Sequence, residues 1–301
     1  MPNNDTVKGD LLDYALEIEW FDKQAGKAIK LLEEREMLDN TIVVFTSDNG
    51  MPFPRAKAFA FEDGNHVPLA VMWRDKIINP GRRTKDLVSA VDIFPTFLDV
   101  VGLKDMHLDI QGKSLIPIFK DEKSNDTEVF RKYIYWGRER HGSARWSDLG
   151  YPQRAIRSDR FLYIWNPEYR RYPAGEPKKK QENKLTLDFG DVGVTPTKEL
   201  MINIQDSLFN LTFRKFPEEM LYDIKKDPYC MNNLAENPRY EKIKGKLVSA
   251  LKNKLKETRD PRVEKDPNIW ETYRRYGPSK NYPIPKETKR ILQDQIIIKH
   301  N

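Results

Sequence analysis

Two stretches of this sequence carry side chains whose types and spacing could do chemistry. The apolar run Thr41-Ile-Val-Val-Phe-Thr46 ends in Ser47-Asp48-Asn49-Gly50, and in open α/β sheets ligands bind just beyond the carboxyl ends of the strands. A carboxylate beside a carboxamide offers the hard oxygen donors that Ca²⁺ or Mg²⁺ prefers. The same four residues also suit a plain turn, and two oxygens fall short of the roughly six to eight that Ca²⁺ takes. The second stretch is Trp136-Gly-Arg-Glu-Arg-His141, a strand end bearing two arginines and a histidine. His141 is open to a substrate-facing role or to a solvated one. His66 and His107 read as structural, and Arg82-Arg83 as an exposed turn. Cys230, the single cysteine, excludes an internal disulfide framework and a cysteine-based zinc site.

The elements that must position these residues follow from periodicity. From Asp10 to Met37, Leu11, Ala15, Ile18, Ala25, Ile29 and Leu32 recur at helical steps, predicting a long surface helix with one buried face. Thr41–Thr46 and Leu69–Trp73 lack polar alternation, as strands buried on both faces of a parallel sheet do. Val91–Val101 has helical spacing with Pro95 near its start and Gly102 as its stop. After about Lys120 the character changes. Lys132–Trp136, Arg154–Trp165 with a hairpin turn at Ser158-Asp159, and Glu219–Ile224 alternate apolar with polar residues, predicting an antiparallel sheet with one wet face. A helix from about Pro238 to Glu257 could cover it. Lys178–Lys184 reads as a solvated loop, and the segment from Arg259 onward as a surface-wrapping tail. The expected units are therefore 1–120, α/β; 121–258, a smaller α+β unit; and 259–301, the tail.

Composition narrows the class. With 301 residues and 39% hydrophobic content the chain can bury a real core. Residues 1–120 carry 15 basic and 19 acidic groups, a net of −4, so the overall +6 leaves +10 in the remainder. No short basic stripe marks a nucleic-acid binder, and a basic surface could instead face a polyanion or nothing at all. No apolar run approaches the roughly 18 residues of a membrane span. The first residues have neither a basic nor an apolar signal region, so the chain reads as soluble without a signal peptide of its own.

The order and spacing of Ile18, Asp22, Gly26, Asp39–Gly50, Lys57, Gly64–Leu69, Pro80-Gly81 and Val91–Thr96 resemble the C-terminal half of the formylglycine-dependent sulfatase domain. Ser47–Pro54, Tyr151–Arg154, Leu221–Pro228 and Asn233–Pro238 are most similar to the heparan N-sulfatase (sulfamidase) group. The resemblance implies an α/β fold, the C-terminal part of an alkaline-phosphatase-like sulfatase domain, followed by a smaller α+β subdomain with an antiparallel sheet and a C-terminal helix. It implies a sulfatase hydrolysing O-sulfate or N-sulfamate from a sulfated glycan such as a glycosaminoglycan. Asp48 and Asn49 would be two Ca²⁺ ligands of an incomplete site, Lys57 a catalytic and substrate-binding contact to sulfate, and Arg140 and His141 substrate contacts. Lys57 stands where the sulfamidase group tends to carry Arg, a departure because a planar fork and a point charge are not interchangeable.

No Cys/Ser-x-Pro/Ala-x-Arg motif, the source of the family's formylglycine, occurs in the sequence, and Cys230 lies in a structural turn. The expectation is a chain whose N-terminal half, with the nucleophile, is missing: inactive alone, binding Ca²⁺ weakly, and sticky along unpaired strands. Three hypotheses remain open: a sulfatase working with a separately encoded N-terminal half; a non-catalytic remnant binding sulfated glycans; and another alkaline-phosphatase-superfamily hydrolase. Intact family members are expected in the periplasm or secreted.

Overall fold

The computed structural model describes residues 1–106, 108–121, 130–181, 184–264, 266–274, 276–277 and 282. His107 and much of the tail lie outside them. Helix α1 (Asp5–Glu34) starts on the Asn4 side chain, which accepts from the Thr6 N–H, and leads through a 3₁₀ turn to strand β1 (Val43–Thr46). A short α2 (Glu62–Asn65), β2 (Leu69–Met72), α3 (Ile93–Val100) and α4 (Ile116–Phe119) follow. Then come β3 (Ile134–Arg138), β4 (Gln153–Arg157), β5 (Phe161–Trp165), β6 (Lys178–Gln181), β7 (Lys184–Leu187), α5 (Pro196–Ile204), α6 (Ser207–Phe213), β8 (Glu219–Asp223), α7 (Glu241–Glu257) and α8 (Ile269–Thr272).

Three expectations are corrected here. β1 and β2 pair antiparallel, Val43 opposite Met72 and Thr46 opposite Leu69. Their side chains are half-buried or exposed rather than enclosed on both faces; an apolar run without alternation does not by itself distinguish the two pairings. Along α1 Leu11, Ala25, Ile29 and Leu32 are half-buried, but Ala15 and Ile18 are exposed and Val7 is the fully buried residue. Where Lys178–Lys184 was expected as a solvated loop, β6 lies and pairs antiparallel with β7, which starts at Lys184.

The central sheet has the order β3-β4-β5-β8, all antiparallel, with Ser158 closing the predicted hairpin through its N–H to Phe161 O at 2.9 Å. Neither face of its inner strands is wet. Ala155, Leu162, Ile164, Met220 and Tyr222 pack with Phe59, Phe61, Met201 and Phe213, whereas Ile156, Tyr163 and Leu221 pack with Leu247, Leu251 and Leu255 of α7. The period of two puts alternate residues on opposite faces. The face expected to meet water is covered by α5 and α6, which precede β8, and by the distant segment after β1.

That segment, residues 50–64, is a loop closed at its base by the Gly50 N–H donating to Gly64 O at 3.0 Å. A Cβ on Gly50 would lie 1.9 Å from Asp63 O, and one on Gly64 2.3 Å from Ala56 O. Both positions accept only hydrogen because backbone, not a movable side chain, occupies the space. Gly50→Ala and Gly64→Ala are each expected to cost more than about 2 kcal/mol, read as lowered denaturation midpoints in urea. Gly245→Ala, on open helix surface, is the control and should be neutral or stabilising.

Candidate functional site

The 50–64 loop carries Lys57 on a rigid frame. Phe53, Ala56, Phe59, Ala60 and Phe61 are buried beneath it, and the Lys57 N–H donates to Met51 O at 3.0 Å. Arg55 and Ala58, on either side of Lys57, both sit at φ 68°, a left-handed conformation that costs energy for residues with a side chain. Arg55 secures the turn. Its guanidinium donates to Leu211 O at 2.7 Å and Cys230 O at 2.5 Å, and stacks 4.1 Å from the centre of the Phe61 ring. Deeper in, the Ala60 N–H meets Gln153 Oε1 at 3.2 Å, Gln153 Nε2 donates to Asn166 Oδ1 at 2.8 Å, and Asn166 Nδ2 donates to Pro217 O at 2.7 Å. Trp136 Nε1 donates to Ala60 O at 3.2 Å. Buried polar groups must be paired, and this relay ties the loop to β3, β4 and the end of β5. Lys57 itself is half-buried, and its ammonium has no hydrogen bond or ion pair among the described residues.

Beside the loop lies a buried ion triad. The Asp191 carboxylate, fully enclosed, accepts from Arg138 Nη2 at 2.6 Å, and Arg145 Nη1 lies 2.8 Å from the same oxygen as an ion pair. Arg138 also donates to Ala58 O, next to Lys57, and to Pro173 O at 3.0 Å. Arg145 donates to Tyr172 O and Pro173 O, and both guanidiniums lie 5.4 Å from the Tyr151 ring centre. Burial favours the neutral form of Asp191, but Arg145, Arg138 and His141 outweigh it and hold the carboxyl well below the usual carboxylate range. Burial lowers Arg138 to about 10 against the pull of Asp191. His141 Nδ1 lies 3.5 Å from Asp191 Oδ1, which also accepts the Gly142 N–H at 3.1 Å. Arg138 thus joins the Lys57 loop to the anion beside His141. Arg140 turns away from this centre. It donates to Tyr273 O at 2.9 Å and approaches Trp270 O and Asp148 O at 3.4 Å each, fastening the segment around α8.

Asp48 and Asn49 do not form the expected metal centre. Asp48 is exposed, and Asn49 Nδ2 donates to Gly50 O at 2.8 Å while Ser47 Oγ donates to Asn49 O at 2.7 Å, so the turn is braced internally. Glu62 is committed to Arg157 at 3.0 Å and His66 at 3.2 Å. Among the described residues no group of three or more His, Cys, Asp or Glu could hold a metal ion. The residues present do not fit Ca²⁺, and the expected site is withdrawn: two oxygens without further acidic neighbours supply too little charge and too few ligands. Cys230 is buried, and burial pushes its thiol up to about 12, far from a reactive thiolate at neutral pH. A cleft of about 300 Å³ runs between β3, α7 and Trp270, but its charges are paired, Arg154 with Glu139 and Asp260, Arg138 with Asp191 and Lys254 with Glu257, and neither Lys57 nor His141 lines it.

The sulfatase family model matches residues 2–103, and the model for the C-terminal region of N-sulphoglucosamine sulphohydrolase matches residues 55–165. The resemblance is to the sulfatases. An ulvan-active sulfatase of Formosa agariphila is 31% identical over 84% of this chain and 38% of its own length. Human N-sulphoglucosamine sulphohydrolase is 27% identical over 87% of this chain and 51% of its own. A solved structure described as a complex with its substrate D-glucosamine-2-N,6-O-disulfate superposes with a TM-score of 0.57 at 25% identity, covering 81% of this chain and 40% of that one. The chain spans about half or less of the length of these relatives.

The match to residues 2–103 corrects the expected fold and identity in one respect. It assigns the first third of the chain to the family's catalytic domain, so the description of a C-terminal part with the catalytic region absent does not stand, nor does the inactivity drawn from it. What holds is an α/β alkaline-phosphatase-like sulfatase fold with an additional sheet and helices.

Sequence reasoning pointed to Lys57 and His141 but missed Asp191, Gln153 and Asn166, which hold their surroundings. The polar residues Gln153, Arg154 and Arg157 among the five of β4 were a usable signal, since polar residues at core positions need partners. Asp191 had none, lying in a loop. Two outcomes follow from the triad. Arg138→Met should cost about 3–5 kcal/mol because it strands a buried charge, measured by urea denaturation. The folded pKa of Asp191 is depressed, so its contribution is complete above the ordinary carboxylate value near about 4 and is lost as pH falls from there toward the folded pKa. Acid titration followed by tryptophan fluorescence should show that loss, and it should be smaller in Arg138→Met.

Proposed function

We propose that this chain is part of a sulfatase that hydrolyses sulfate, as an O-sulfate ester or an N-sulfamate, from a sulfated glycan such as a glycosaminoglycan, with Lys57 and His141 contacting the substrate. The observation that carries this reading is the Lys57 ammonium, without a partner among the described residues, on a loop whose backbone is pinned on both sides. It lies in the stretch that both family models match. The relatives support the substrate class: one is named for activity on ulvan, one for sulphoglucosamine, and one is seen with a disulfated glucosamine. In sulfuryl transfer to water, negative charge builds on the sulfuryl oxygens and on the departing oxygen or nitrogen. A fixed cation with no competing partner stabilises that charge without reorganising. Lys57 acts as a point charge rather than a bidentate fork, which suits an ester as well as a sulfamate. Arg140, committed to backbone carbonyls, serves by holding the strand end that bears His141.

Calorimetry with a sulfated glucosamine disaccharide and its unsulfated counterpart, on the full chain, tests the reading. Lys57→Ala should weaken the sulfated ligand at least about tenfold and leave the unsulfated one unchanged, as loss of a charge-assisted contact requires. Sulfate release, followed by ion chromatography, should drop about 10²–10³-fold in the variant. Equal affinity of the two proteins for the sulfated sugar would overturn the proposal.

A further inference from the structure

We infer that Asp191 is a positioning residue for His141, holding the imidazole in the tautomer that carries its proton on Nδ1 and leaves Nε2 as the acceptor offered to a sugar hydroxyl. The inference rests on the reading of His141 as a substrate contact and deepens it. Around the Asp191 carboxylate, Arg138 donates to Oδ2, the Arg145 guanidinium pairs with the same oxygen at 2.8 Å, and the Gly142 N–H donates to Oδ1. The remaining neighbour, His141 Nδ1, stands 3.5 Å from Oδ1. A carboxylate presents only acceptors, so the ring nitrogen facing it must be the donor, and a neutral imidazole has one N–H to give. The proton therefore sits on Nδ1, the reverse of the tautomer that a free histidine side chain prefers.

The carboxylate cannot drift from this task. Arg138 is locked by Ala58 O and Pro173 O, and Arg145 by Tyr172 O and Pro173 O. The other charged groups nearby are engaged elsewhere: Arg140 with the carbonyls around α8, and Asp188 with the Tyr282 hydroxyl. Nε2 has no partner among the described residues, and the His141 side chain is 37% exposed, open enough to meet a ligand and anchored enough to have one orientation. The same Arg138 that fixes Asp191 fixes the backbone beside Lys57. The sulfate-binding cation and the hydroxyl acceptor are thus held by one buried group, and a sulfated sugar bearing a free hydroxyl near its sulfate is the ligand such a pair selects.

Long-range ¹H–¹⁵N NMR of the full chain tests this without requiring turnover. The sequence has four histidines, so His141→Gln assigns the signal. At a pH where the ring is neutral, the Nδ1–H tautomer is expected, and an Nε2–H tautomer in the unaltered protein overturns the inference. Asp191→Asn, checked for folding by circular dichroism, should shift His141 toward Nε2–H; a folded variant that keeps Nδ1–H also overturns it. If that variant does not fold, the unaltered protein decides. Adding the sulfated glucosamine disaccharide should then move the His141 Nε2 resonance. An Nδ1–H ring that does not respond to this ligand counts against the substrate reading alone.

Discussion

The site is organised around one enclosed negative charge. Asp191 lies where an unpaired carboxylate would be prohibitively costly, so its surroundings are arranged to supply two guanidiniums and a backbone N–H. Other donors of the two guanidiniums reach the carbonyls of Ala58, Tyr172 and Pro173. A buried ion cluster of this kind is weak evidence for net stability, since well-packed apolar groups often do as well. Its effect is geometric: a planar fork with several fixed acceptors has one arrangement. The end of β3, the turn before α5 and the middle of the 50–64 loop are brought to a common point by it.

The loop contributes the complementary constraint. Gly50 and Gly64 let two backbone segments approach more closely than any side chain allows, and the crossing closes the loop at its base. Above the crossing, aromatic residues enter the core while Arg55 reaches Leu211 and Cys230 carbonyls. The loop is therefore both a lid on one face of the β3-β4-β5-β8 sheet and the platform for Lys57. The apolar burial that stabilises the sheet and the placement of the cation are one packing event, so changes in the core under Phe59 and Phe61 should be felt at Lys57. Farther out, Glu139 pairs with Arg154 and Arg262, and Arg171 with Glu271, so the segment after α7 is clamped to the sheet edge next to His141.

Much of the organisation was legible beforehand because it depends on local rules. Helix α7 follows from Ile243, Leu247, Leu251 and Leu255 recurring at helical steps, the β4–β5 hairpin from alternation interrupted at Ser158-Asp159, and the candidate cation and imidazole from motif resemblance confined to short stretches. What local rules could not supply was pairing. The apolar runs that became β1 and β2 have the same composition in a parallel or an antiparallel partnership, and which they adopt depends on the chain that connects them. Asp48-Asn49 likewise has a metal-binding composition, but composition says nothing about whether further acidic oxygens converge on it, and among the described residues they do not.

The sequence by itself determined the long first helix, the α7 helix, the β4–β5 hairpin and the position of the change to alternating strands, and it singled out Lys57 and His141 as candidates. Only the tertiary structure decided that both faces of the inner strands of the antiparallel sheet are covered, that Arg138 and Arg145 are spent on Asp191 and Arg140 on carbonyls around α8, and that Lys57 alone of these cations keeps its ammonium without a partner among the described residues. The reason is physical: periodicity and turn chemistry are properties of neighbours along the chain, whereas the state of a charge depends on which distant groups share its low-dielectric surroundings, and Asp191 stands more than fifty positions from Arg138.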